Sequence, residues 1–327
     1  MYDMTVHEGD RNKPLVILVH GLGMEQNIWT DPGSARILGG ALPLTVLLSK
    51  KPEQRDKVRS KITPGDRPDP KMLRSIFHDL RDRGYPVISW SQQRPAGPLE
   101  SAVNELAEVI RHAENISKGE IILVCHSRGG LIARKYLADN NSNVNALITI
   151  CTPHRGSSIA KLASYVLPLV RVITPFISDN TNSLSIKKAV MRVTDFMKSN
   201  AVKELLPSSD FFQTIPDRKI KGMRCLTMGG TNPSLFGFYR WREKTADGMR
   251  LLRPEEVLSF PGILEKIIPS GLLPDELKKG LGDGLVSAES SRLNWADEHH
   301  DFPMNHARML YDKRVRETII SFIEANF

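Results

Sequence analysis

Glu120-Ile-Ile-Leu-Val-Cys-His-Ser-Arg-Gly-Gly-Leu-Ile-Ala-Arg134 decides how the rest of the chain is read. Ile121 to Val124 is an uninterrupted apolar run, the pattern of a strand covered on both faces. Leu131, Ile132, Ala133, Tyr136 and Leu137 then fit a mostly buried helix. Between them stands Cys125-His-Ser127-Arg-Gly129. A serine on a sharp turn between strand and helix is the context of the G-x-S-x-G nucleophile elbow. The turn strains the serine backbone and brings strand and helix so close that the flanking residues must be small. Gly129 meets that demand; Cys125 departs from the motif's first glycine but is still small. The plainer reading is a buried serine opening an ordinary helix.

Working outward, Pro14-Leu-Val-Ile-Leu-Val-His20 is a second apolar strand, running into Gly21-Leu22-Gly23. Glycines after a buried strand let the backbone turn and present free N–H groups. Pro86-Val-Ile-Ser-Trp90 is a third strand. Pro98 opens an amphipathic helix with Leu99, Val103, Leu106, Ile110 and Ala113 on one face. Val144 to Ile150 and Lys221 to Met228 add two more strands. Strands alternating with helices predict right-handed crossovers and a mostly parallel sheet with helices on both faces, an α/β fold. The whole chain, 1–327, reads as one domain.

Three regions break the rhythm. Residues 24–70 read as an extended excursion with one short apolar helix near Ile37 to Leu48. An insertion at about 158–220 carries the apolar stretch Ala160 to Ile177 and a helical segment Ile186 to Leu206. It reads as a cap or lid above the sheet edge, with a face suited to transient contact with a lipid interface. A further excursion covers about 231–280.

Composition excludes several classes. The 327 residues are 40% hydrophobic and 25% charged, as in an ordinary soluble protein, with no apolar run long enough to span a membrane. No basic-then-apolar leader precedes the first strand, which gives a cytoplasmic expectation. Three scattered cysteines suggest no disulfide framework. The net charge of +8 comes without zinc-ligand spacing, aromatic RNA-binding motif or basic repeat, so no nucleic-acid partner is expected.

A serine becomes a useful nucleophile when a base takes its proton and an acid fixes the base. The chain offers Ser127, then Asp283 in Gly282-Asp-Gly284, then His306 just before the last helix. His299 and His300, in a polar run (Ala296 to Asp301) suited to a solvated loop, and Asp247 and Asp275, in irregular sequence, are poorer candidates. His126, beside the serine, and His154, in the loop Cys151-Thr-Pro-His-Arg-Gly-Ser157, are candidate substrate contacts. A loop histidine such as His154 is more often simply exposed.

These motifs resemble the α/β-hydrolase superfamily, and within it the bacterial true lipases and related esterases. The resemblance rests on His20-Gly-Leu-Gly, His126-Ser-Arg-Gly-Gly, Thr152-Pro-His-Arg-Gly-Ser, Asp283-Gly-Leu-Val with Ser290-Ser291 behind it, and Met304-Asn-His306. It implies hydrolysis of a small-molecule or lipid carboxylic ester through an acyl-enzyme. Ser127 would be the nucleophile, His306 the base and Asp283 its orienting acid, with the N–H groups of Leu22 and Arg128 as the oxyanion hole. A thioesterase, phospholipase or acyltransferase, or a non-catalytic lipid-binding homologue, remains an alternative. No cofactor is implied. Many of those lipases hold a structural calcium through an aspartate two residues past the histidine. Arg308 stands there, so no metal is expected.

Overall fold

The apolar runs Leu15–Val19, Val87–Trp90, Ile121–Val124 and Val144–Ile150 form strands covered on both faces. The computed structural model describes residues 2–37, 42–55, 57–58, 60–117, 119–140, 143–158, 191–192, 195, 198–246, 249–265 and 268–327. In chain order the strands longer than two residues are β1 (Met4–His7), β2 (Leu15–Val19), β3 (Ile62–Pro64), β4 (Val87–Trp90), β5 (Ile121–His126), β6 (Val144–Ile150), β7 (Arg224–Gly230), β8 (Phe236–Ala246), β9 (Met249–Phe260) and β10 (Glu298–Phe302). Seven form one sheet in the order β1-β4-β2-β5-β6-β7-β10. β1 pairs antiparallel with β4, and every other pairing in that sheet is parallel.

Alternate strand residues face opposite sides, and the helices divide between those sides. Val16, Leu18, Ile122 and Val124 pack with Ile76 and Leu80 of α1 (Ile76–Asp82) and with Ile319 and Ile323 of the last helix (Lys313–Asn326). Leu15, Ile17, Ile121 and Leu123 pack with Val103, Leu106 and Ile110 of α2 (Leu99–Ile116) and with Leu131 and Ile132 of α3 (Arg128–Asp139). The chain moves from β2 to β4 on one side and then crosses to β5 on the other. The strand order therefore reverses around β2 and β5, whose carboxyl ends define the crevice where open α/β sheets place ligands.

The irregular regions hold more order than their sequence suggested. In the first excursion the short helix is Leu44–Leu47, wholly buried. The 231–280 excursion contains the long antiparallel pair β8–β9, with β3 added to the far side of β8. The polar run expected as a solvated loop is instead β10, hydrogen-bonded to β7 from Glu298↔Leu226 to Phe302↔Gly230. Its exposed side chains hid it, because an edge strand lacks the apolar run of a central one. Of the expected cap, Ala160 to Ile177 lies outside the described residues, as does much of Ile186 to Leu206. What is described includes the short helix Asn200–Lys203 and the turn Asp210–Gln213.

Candidate active site

Ser127 alone joins β5 to α3. Its φ of 53° and ψ of −128° place it in a region costly for any residue with a Cβ. The neighbours hold it there. Its N–H donates to the Ile150 carbonyl at 2.9 Å, and its own carbonyl accepts from Thr152 Oγ1 at 2.8 Å and from Gly130 N at 3.1 Å. Three glycines permit the close approach. A Cβ on Gly129 would lie 2.6 Å from the Val19 carbonyl oxygen, and one on Gly130 2.2 Å from Thr152 Oγ1. One on Gly21 would lie 2.9 Å from the Cβ of Ser127 itself.

That last contact brings the Gly21-Leu22 backbone beside the serine. His20 braces the loop: Gln92 N donates to its Nε2 at 3.0 Å, which leaves Nδ1 to donate to the Gly21 carbonyl at 2.9 Å. Burial pushes His20 down to about 4, so it is neutral near pH 7. On the other side, Arg128 opens α3, and its N–H belongs to the first turn, whose donors have no helical acceptor. The Arg128 side chain is wholly buried and donates to the Gly97 carbonyl at 2.7 Å, with Glu204 at 3.5 Å. Burial lowers it to about 10, which still leaves a cation.

Asp283 and His306 meet at the end of β7. Asp283 Oδ1 accepts from the N–H groups of Leu285 (2.9 Å) and Val286 (2.7 Å), a tight turn completed by Gly284 at φ 98°. Its Oδ2 accepts from His306 Nδ1 at 2.8 Å, and the two backbones join through His306 N to the Asp283 carbonyl at 3.0 Å. Both side chains are almost fully buried. Gly230 makes room, since a Cβ there would sit 2.7 Å from Asp283 Cβ. An ionised carboxylate only accepts, so the His306 proton resides on Nδ1 and the lone pair on Nε2.

His126 links the halves. Its ring centroid is 4.7 Å from that of His306, and its Nε2 donates to the His306 carbonyl at 3.3 Å. Burial, with His306 adding to it, pushes His126 well below its usual value. His154 departs from the surface expectation and is buried. Its backbone N–H reaches the Ser290 carbonyl at 2.8 Å, its Nε2 lies 3.1 Å from Thr149 Oγ1, and burial holds it well below the imidazole range. The weaker candidates sit elsewhere: His299 bonds Thr227 and Asp301, and His300 bonds Glu298. Arg308 turns to the carbonyls of Leu48 and Ser49. Asp247 lies outside the described residues.

Two contributors escaped the sequence reading. Thr152 holds the Ser127 carbonyl, and Cys151, also at positive φ, sits with its sulfur beside Asp283 and His306. Those three side chains place their ligand-type atoms within 4.8 Å of one another, the one such metal-capable group among the described residues. Two of the three are already joined by a hydrogen bond. A small residue at the end of a buried strand, just before Thr-Pro, was the available signal for Cys151.

The geometry agrees with comparisons to known proteins. A search of solved structures aligns 98% of the chain with 97% of the mature form of the lipase BlEst2 of Bacillus licheniformis, at 16% identity and a TM-score of 0.51. The chain has the α/β-hydrolase fold. Its resemblance is to lipases and esterases. The propeptide form of the same lipase aligns with equal TM-score, 0.51, over 53% of its length. A monoacylglycerol lipase of Paleococcus ferrophilus aligns over 98% of its chain at 14% identity and a TM-score of 0.45. The family model described as palmitoyl protein thioesterase matches residues 83–220, less than half of the chain. That span contains Ser127 but neither Asp283 nor His306. No curated protein matches the sequence. No helix among the described residues is long and apolar enough to cross a membrane.

Proposed function

We propose that this α/β-hydrolase cleaves carboxylic esters with an apolar acyl group through an acyl-enzyme on Ser127. The observation that carries the reading is the strained Ser127 turn at the same sheet edge as the 2.8 Å His306–Asp283 hydrogen bond. Asp283 fixes the Nδ1–H tautomer of His306, which leaves Nε2 as the base. His306 takes the proton from Ser127 Oγ as the oxygen attacks the ester carbonyl. The N–H groups of Leu22 and Arg128 hold the oxyanion of the tetrahedral intermediate, the charge that develops only during reaction. The leaving alcohol receives the proton from His306 Nε2, and a water activated by the same nitrogen releases the acid. The apolar stretch Ala160 to Ile177 supports an apolar acyl group and a cap that meets a lipid interface.

A thioester is the second reading, favoured by the palmitoyl protein thioesterase match across the elbow. The machinery is the same and only the leaving group differs. Hydrolysis of p-nitrophenyl esters from acetate to palmitate, beside acyl thioesters of matched length, decides between them. Turnover by wild type and none by Ser127→Ala is expected; a folded Ser127→Ala variant at wild-type rate overturns the assignment.

A further inference from the structure

Among the described residues, only two non-glycine positions have positive φ: Ser127 at 53° and Cys151 at 52°. Strain of that kind persists only where the surroundings over-determine it. At Ser127 the strain presents the nucleophile. Cys151 follows β6, is completely buried, and is tied by its N–H to the Met228 carbonyl at 2.8 Å. Glycine would occupy this backbone without steric strain.

We propose that Cys151 is a positioning residue for the acid–base pair, its Sγ–H donating to the Asp283 carboxylate and holding it against His306. This rests on the reading of Ser127, Asp283 and His306 as one hydrolytic unit. Sγ, a carboxylate oxygen of Asp283 and a ring nitrogen of His306 lie within 4.8 Å of one another. A carboxylate has about four lone-pair sites. Backbone N–H groups of Leu285 and Val286 take two of them and His306 Nδ1 a third, which leaves one for the thiol. Burial, reinforced by the Asp283 charge, raises the thiol well above its ordinary value, so it stays protonated and acts as a donor. The next residue, Thr152, donates to the Ser127 carbonyl. Consecutive residues after β6 thus reach both halves of the site, and through them β6 sets the acid relative to the nucleophile.

The test uses Cys151→Gly and Cys151→Ser in the full chain. Glycine removes the donor and relieves the backbone; serine keeps an O–H donor on the same carbon. With a p-nitrophenyl ester, Cys151→Gly is expected to lower kcat about five- to tenfold with KM within about twofold. Labelling of Ser127 by a fluorophosphonate should slow in parallel, and Cys151→Ser should recover most of both rates. Wild-type kcat and labelling in Cys151→Gly, or a serine variant as slow as the glycine one, overturns the proposal. Ser127→Ala run alongside separates the two claims, because residual turnover there sinks the hydrolytic unit itself.

Discussion

The two halves of the site are held by different physics. The serine half draws on the ends of three neighbouring strands and is held by close steric fit together with the hydrogen bonds on the Ser127 backbone. Gly21, Gly129 and Gly130 each stand where a single added carbon would meet a neighbour at under 3 Å. The acid–base half is assembled from distant turns and held by polar bonds: three on Asp283, a backbone bond between Asp283 and His306, and Asn305 donating to the carbonyls of Leu47 and Ser234. The first should tolerate no added atom. The second should tolerate shape changes away from Gly230, whose added Cβ would sit 2.7 Å from Asp283 Cβ, but not the loss of an acceptor.

Four experiments probe that contrast, in falling order of effect. Asp283→Asn keeps an Oδ1 for the Leu285 and Val286 N–H groups but loses the anion that fixes the His306 tautomer. Turnover should fall by about a thousandfold or more, with the melting temperature close to wild type. A collapse of the fold instead would mean that charge, not geometry, holds the turn. Gly130→Ala should do the opposite and cost about 1–3 kcal/mol in urea unfolding through its clash with Thr152. An unchanged midpoint would refute the steric account of the elbow.

Acid should weaken both halves. His20, held at about 4, braces the Gly21 loop, while His126 reaches the His306 carbonyl and His154 reaches Thr149, both held well below their usual value by burial. Each has a folded-state value below its unfolded one near 6.5. In the window between the two, the unfolded chain binds protons that the folded chain refuses. Stability therefore falls as pH drops through 6.5, by up to about 1.4 kcal/mol per pH unit for each histidine. Urea midpoints at pH 7.5 and 5.5 check the sign; a flat profile removes the histidines from the account. The smallest effect belongs outside both halves. Glu289→Ala breaks an exposed ion pair with Arg155 and should change stability by less than about 1 kcal/mol.

The same contrast explains what the sequence made legible. β2, β5 and β6 are central strands whose residues pack on both faces, so their apolar runs announce them. β1 and β10 lie at the sheet edges and mix polar with apolar residues, and neither was read as a strand. β8 and β9 form a separate small sheet whose charged side chains resemble a loop. At the site, Ser127, Asp283 and His306 could be nominated because each stands in a recognisable local context. Cys151 could not, because its meaning lies in a neighbour 132 positions away in the chain, and His154 looked exposed because sequence does not reveal that Ser290 covers it.

β10 has a consequence for how this protein behaves in a crowded solution. A last strand in a sheet offers its free backbone groups to any passing chain, and long, greasy ones seed aggregates. This one is five residues long, and Glu298, His300 and Asp301 stand exposed along it. A second molecule docking there would have to strip water from three polar side chains to gain a handful of backbone bonds. The polar edge beside the candidate acid–base pair is thus a poor template for pairing with a second chain.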